Sequence, residues 1–165
     1  MIGSFLLTLW ITAPATPPDI KSEPLTVNAE IFATYLVPDE DMLPAAASAA
    51  GLQHSAKLKG FIDSVTRLNN DQVKILGWAF DELGEGDPIT ILVFAQGKNV
   101  FQTQTKGTRL DVAGAWKLSS AAAANVAFEG LLRCLPRQQL LVVAVTQANL
   151  YTTLGHAPGP PVCPA

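Results

Sequence analysis

Between residues 58 and 154 the chain repeatedly alternates a short run of β-branched or aromatic residues with a gap of only a few residues. Parallel strands need crossover connections of about a dozen residues or more, so gaps this short favour antiparallel pairing. The run at 58–68 ends in the turn cluster Asn69-Asn70-Asp71. In the next run Val73, Ile75, Gly77 and Ala79 share one face, while Lys74, Leu76, Trp78 and Phe80 share the other, because side chains alternate along a strand. Apolar residues on both faces predict a strand covered on both sides near its Gly77-Trp78-Ala79-Phe80-Asp81 end. Residues 81–88 are an acidic, glycine-rich turn, Ile89-Thr90-Ile91-Leu92-Val93-Phe94-Ala95 is a strand, and Gln96-Gly97-Lys98-Asn99 turns the chain into the run 100–105. Runs at 126–132, 139–146 and 150–154 complete the set.

One interruption has a different period. Leu110, Ala113 and Trp116 recur at helical spacing, with Thr108 placed to cap and Asp111 three residues on, so the segment is read either as a helix running through the alanines to near Asn125 or, given Gly107 and Gly114, as a short helix inside a loop. Six or seven strands with one short helix define an all-β fold, an antiparallel β-sandwich of immunoglobulin-like form or an open barrel. Trp78, Phe80, Phe94 and Phe128 are its expected structural core.

Outside this domain, assigned to 57–155, the texture changes. The first twelve residues carry no charge and lead to Ala13-Pro14-Ala15, the outline of a secretory signal or membrane anchor over 1–15. Residues 16–56 form an acidic, proline- and alanine-rich linker. Within it the alternation of Leu25-Thr26-Val27-Asn28-Ala29-Glu30-Ile31 predicts a strand across 25–37, and the alanine run before Gly51 a short helix. Residues 156–165, with four prolines, read as a tail. Cys134 and Cys163 are the only cysteines. They fit no zinc or thioredoxin spacing, and two readings stay open: one disulfide in an oxidising compartment, or Cys134 as a small buried hydrophobe among leucines.

Charge narrows the partners. Residues 13–56 hold six acids (Asp19, Glu23, Glu30, Asp39, Glu40 and Asp41) against Lys21, while residues 57–165 hold eight acids and ten bases. No basic stripe faces a row of phosphates, so nucleic acid is not an expected partner. A hydrolase needs a nucleophile, a base and an orienting group. The two histidines, His54 and His156, fall in the linker and the tail. No catalytic residues, metal site or cofactor are therefore expected. Asp81, Glu82, Glu85 and Asp87 crowd one turn without the spacing of a calcium loop, and Gly84-Glu85-Gly86 lacks the third glycine of a dinucleotide fingerprint.

Three residues remain as candidate ligand contacts. Trp116 sits in the loop or helix, where an exposed aromatic face can pack on a sugar ring. Arg109 and Asp111 either meet a ligand charge or form an ion pair and cap that pin the long loop to the sheet. Trp78 could also stack on a sugar, although a Trp after Gly inside an apolar strand is more often core.

Gly60-Phe61-Ile62-Asp63, Gly77-Trp78-Ala79-Phe80-Asp81, Ala95-Gln96-Gly97, Arg109-Leu110-Asp111-Val112 and Val126-Ala127-Phe128-Glu129 together resemble a small β-sandwich module that recurs in the proteobacterial cell envelope beside, or fused to, glycan-related proteins. The resemblance spans residues 58–154 and implies a noncatalytic, carbohydrate-associated accessory module. The resulting expectation is a nonenzymatic periplasmic or extracellular protein, touching the membrane only through its N-terminus and binding glycan or an envelope protein through loops. The alternative is an assembly role in which strand 25–37 completes another chain's sheet edge, and a small glycan-active enzyme ranks third.

Overall fold

The computed structural model describes residues 27–37, 39–69 and 72–165. The signal or anchor expected over 1–15, the first part of the linker, and Pro38, Asn70 and Asp71 lie outside the described residues. Two helices come first, α1 (Val27–Ala33) and α2 (Leu43–Ala49), then the strands β1 (Gln53–His54), β2 (Leu58–Arg67), β3 (Gln72–Asp81), β4 (Thr90–Ala95) and β5 (Lys98–Gln104). A third helix, α3 (Leu110–Trp116), and a 3-10 turn at Ala122–Ala124 precede β6 (Ala127–Arg133), β7 (Leu140–Val145), β8 (Leu150–Thr153) and β9 (Gly155–His156).

The strands form two open sheets, in the orders β1-β8-β7-β4-β5 and β6-β3-β2-β9. The fold is thus an antiparallel β-sandwich, apart from the two-residue strands β1 and β9, which pair in parallel with β8 and β2. Those pairs join segments far apart in sequence, so no short crossover limits them.

Strand β3 shows how side-chain alternation builds the core. Val73, Ile75, Gly77 and Ala79 are buried on one face, where Ile75 and Ala79 join Ile62, Phe128 and Leu132 of their own sheet and Ile91, Val93, Val142 and Ala144 of the other. Gly77 is required at its place: a Cβ there would lie 2.5 Å from the Phe128 ring and 2.5 Å from the backbone oxygen of Phe61. Strand β4 is buried along its whole length. Its outward residues Leu92 and Phe94 lie with Val143, Val145 and Tyr151 beneath Ala29, Phe32, Leu43 and Ala47 of the N-terminal helices and Leu52 just after them.

Several expectations change here. Residues 27–33 are helix, not strand, and among the described residues 27–37 there is no strand. The apparent alternation is split in space, with Ala29 fully buried while Val27 and Ile31 are 70% and 43% exposed. Ala29 and Phe32, three apart, share the face that covers the five-stranded sheet, and helical spacing serves that contact where period two cannot. The helix expected before Gly51 is present, and with α1 and α3 the described residues hold three short helices. The linker therefore contributes a packed layer, and the boundary drawn at residue 57 falls between strands of different sheets.

The C-terminal residues are packed as well. Cys134 and Cys163 form a disulfide, and Cys163 is 1% exposed within the main core. Leu140 donates its N–H to the Pro161 carbonyl, Arg137 to that of Cys163, and Cys163 to that of Gln138, each at 2.8 Å. Arg67 donates through its guanidinium to the carbonyl of Pro164.

Candidate functional site

The outer faces of the two sheets differ. Among the described residues, the N-terminal helices cover that of the five-stranded sheet, whereas that of the four-stranded sheet is covered at one end, by the segment joining β5 to β6. Strand register fixes what the four-stranded sheet presents. Lys59 of β2 sits beside Phe80 of β3, and Phe61 beside Trp78 and then Ala127 of β6. Below these come Ser64, Leu76 and Glu129, then Thr66, Lys74 and Leu131.

The covering segment is anchored at both ends. Lys106 donates its N–H to Ala127 O at 2.6 Å, Val126 donates to Gly107 O at 3.1 Å, and the Asn125 amide donates to Gly86 O at 2.8 Å. Gly86, with φ +94°, allows that approach, since a Cβ there would lie 2.1 Å from the carbonyl oxygen of Ala121. Val112 and Val126 bury Phe80 from outside, with Trp78 and Leu118 packed on the same cluster.

Four groups form a shelf at this end. Trp78 stacks on Phe80 with ring centroids 5.8 Å apart and planes inclined by 18°. Phe80 meets Trp116 edge to face at 5.3 Å. The Lys59 ammonium lies 5.8 Å from the Trp116 ring centre, at the outer limit of cation–π attraction. Trp116, the last residue of α3, is 44% exposed.

At the other end of α3, Arg109 holds the helix to the sheet. Its Nε and Nη2 donate to the two Asp111 carboxylate oxygens at 2.9 and 2.6 Å. Its Nη1 donates to Asp63 at 2.5 Å. Asp63 is the residue skipped where the β2–β3 register shifts between Ile62 and Ser64, so an irregularity in the strand supplies the anchor. The predicted cap is absent: Arg109, not Thr108, occupies the N-cap, without a side-chain cap bond. The helix stops at Trp116, where Lys117 turns left-handed at φ 54°, and does not run on to Asn125.

The Arg109 hydrogen bond, foremost, holds the Asp111 carboxyl down from its ordinary 3.8 to about 2, and the same bonds push the Arg109 guanidinium higher still. A carboxyl ionised down to pH 2 cannot act as a general acid near neutrality, which a glycoside hydrolase requires of one of its two carboxyls. The depressed value sets the sign of a pH effect: the stabilisation is present above the ordinary carboxylate range and is lost as pH falls through about 2. Because Asp111 is exposed the pair is worth little, and a slight loosening of α3, read from Trp116 fluorescence, is expected between about pH 4 and pH 2. The Asp111→Asn variant should lack that acid step, and a step of equal size in the variant would contradict this assignment.

Other candidate groups are used structurally. Glu82 of the acidic turn pairs with Lys57 at 3.2 Å and Lys59 at 3.8 Å. Asp81 accepts the N–H of Leu83 at 3.0 Å. His54 lies edge-on to Tyr151 in one sheet, and His156 lies in β9 of the other. Among the described residues no group of three or more His, Cys, Asp or Glu side chains could hold a metal.

Of the expected core aromatics, Phe80, Phe94 and Phe128 are 3%, 1% and 3% exposed. Phe80 belongs to the outer cluster under α3, and Phe94 to the layer under the N-terminal helices. Trp78 differs from expectation: alternation with the inward Gly77 and Ala79 puts it on the outer face, where it is only partly buried against the cluster of Phe80, Val112 and Val126. Phe61, Leu76 and Leu131 join it on this face and were not singled out from the sequence. Their signal was the apolar residue on the second face of β3, which was taken for complete coverage.

Comparison with protein-family models, curated proteins and solved structures gives no match.

Proposed function

We propose that this protein is a nonenzymatic accessory module of the cell envelope that binds glycan on the outer face of its four-stranded sheet, with Trp116 as the principal contact. The observation that carries the reading is the exposed indole at the rim, braced edge-on by Phe80 and carried on a helix pinned through Arg109. Aromatic faces pack on the apolar side of a pyranose, and a braced ring loses little freedom when it does so. Arg109 and Asp111, the other two candidates, satisfy each other and Asp63, which favours a role in holding Trp116 over direct contact with a ligand.

The envelope location is supported by the uncharged apolar start of the chain and by the Cys134–Cys163 disulfide, a bond that persists in oxidising compartments. Residues 27–33 are a helix seated on the chain's own sheet, which argues against their donating a strand to the sheet of another chain.

Trp116→Ala is expected to weaken retention on a binding polysaccharide at least about tenfold, the loss of a central aromatic contact. Its circular dichroism and melting temperature should stay close to wild type because the side chain is half exposed. Retention of the variant equal to wild type would refute the assignment of Trp116. A wild-type protein that no polysaccharide retains would refute the function.

A further inference from the structure

Resting on the reading that this face takes glycan, we infer that the ligand is an uncharged polysaccharide lying along β3 from the Trp116 shelf towards Leu131. Phe61, Trp78, Leu76 and Leu131 follow one another across adjacent strands as the floor. Leu131 is 49% exposed, and the other three are partly buried. From Trp78 to Lys74 the strand advances four residues, about 14 Å at strand rise, a length that suits an oligosaccharide better than a single sugar.

The charges bordering the floor argue for the ligand class. Lys74 pairs with Glu129 at 3.0 Å. Lys59 shares Glu82 with Lys57, and Arg109 is held by Asp63 and Asp111. Four cations thus meet four carboxylates, and a polyanion laid here would encounter as much repulsion as attraction. A neutral polyol meets no such opposition. It finds hydroxyls at Ser64 and Thr66, an ammonium at Lys74 and a carboxylate at Glu129, donors and acceptors suited to sugar hydroxyls around an apolar floor. Lys117, exposed next to Trp116, and Arg133, exposed beyond Leu131 on the same face of β6, are the further cations that an acidic ligand could use.

Affinity electrophoresis of the full chain through gels containing uncharged polymers (dextran, hydroxyethyl cellulose, soluble starch) or acidic ones (alginate, polygalacturonate) tests this. The expected result is retardation by an uncharged polymer, unchanged when salt rises from about 0.05 to 0.5 M. Retention should weaken about tenfold in the Leu76→Ala/Leu131→Ala double variant and stay the same in Lys117→Ala. Melting curves check that each variant is folded, and Leu131→Ala alone, at an exposed position, is expected to give a smaller loss in the same direction. Preferential, salt-sensitive and Lys117-dependent retention on an acidic polymer would overturn the uncharged ligand while leaving a glycan function standing. Uncharged-polymer binding indifferent to Leu76 and Leu131 would overturn the placement along β3, and no retention on any polymer would overturn both readings together.

Discussion

Replacing Phe94 by alanine is expected to cost about 3 to 5 kcal/mol, the range for truncating a buried aromatic that leaves a cavity. Phe94 is 1% exposed, and its ring meets Phe32 of α1 edge to face at 5.4 Å. It is thus the contact at which the N-terminal layer and the five-stranded sheet hold one another. Phe32→Ala should cost a similar amount, and the double variant less than the sum, because the rings share a cavity. Urea denaturation of the three variants measures this. Strict additivity, or a cost below about 1 kcal/mol for Phe94→Ala, would mean that the helices do not rest on the sheet as described. Removal of residues 1–52 has a related consequence. It uncovers Leu92, Phe94, Val143, Val145 and Tyr151 at once, and the remaining sandwich is expected to aggregate, as large exposed apolar patches do.

That layer also shows where sequence reasoning stops. The strands between 58 and 154 were legible because alternation, β-branching and short gaps all pointed to the same pairing, and their packing agrees with local preference. In residues 25–31 the local pattern pointed to a strand, but the covering role goes to Ala29 and Phe32, whose helical spacing becomes decisive only once a hydrophobic sheet face lies beneath them. Propensity in so short a segment yields to tertiary contact. Trp78 and Phe80 illustrate a related ambiguity: residues on the second face of β3 read as buried, yet what covers them is one short helix at one end, whose position depends on Asp63 and Arg109, 46 residues apart. Trp116 was identifiable because it falls in the loop or helix beside Lys117, outside the apolar strand runs. Leu131, on the same face, looked like an ordinary strand residue, since nothing local distinguishes an uncovered face from a covered one.

Breaking the Cys134–Cys163 bond should be the other large effect. The bond closes a sequence separation of 29 residues, for which chain-entropy reasoning gives about 3.6 kcal/mol of stabilisation, through a denatured state restricted by the crosslink. The spacing of the two cysteines left pairing open, because a sequence separation says nothing about whether two sulfurs meet. What brings them together is tertiary: β8 leaves the five-stranded sheet at Leu154, β9 then pairs with β2, and the chain returns past Leu140 so that Cys163 enters the main core. The tail is therefore a strap across the side of the sandwich where β7 loses β8 as its neighbour. A Cys134→Ala/Cys163→Ala variant is expected to unfold at a urea concentration lower by the equivalent of about 2 to 4 kcal/mol, and wild type with reductant should follow it. The loss has two sources that a further variant separates. Truncation after residue 156 removes the strap contacts as well as the crosslink, so it should destabilise more than the double alanine variant, which keeps the hydrogen bonds of Pro161 and Cys163. Equal stability of oxidised and reduced wild type would show that the two sulfurs are not joined in the folded protein, and would remove the disulfide from the case for an oxidising compartment.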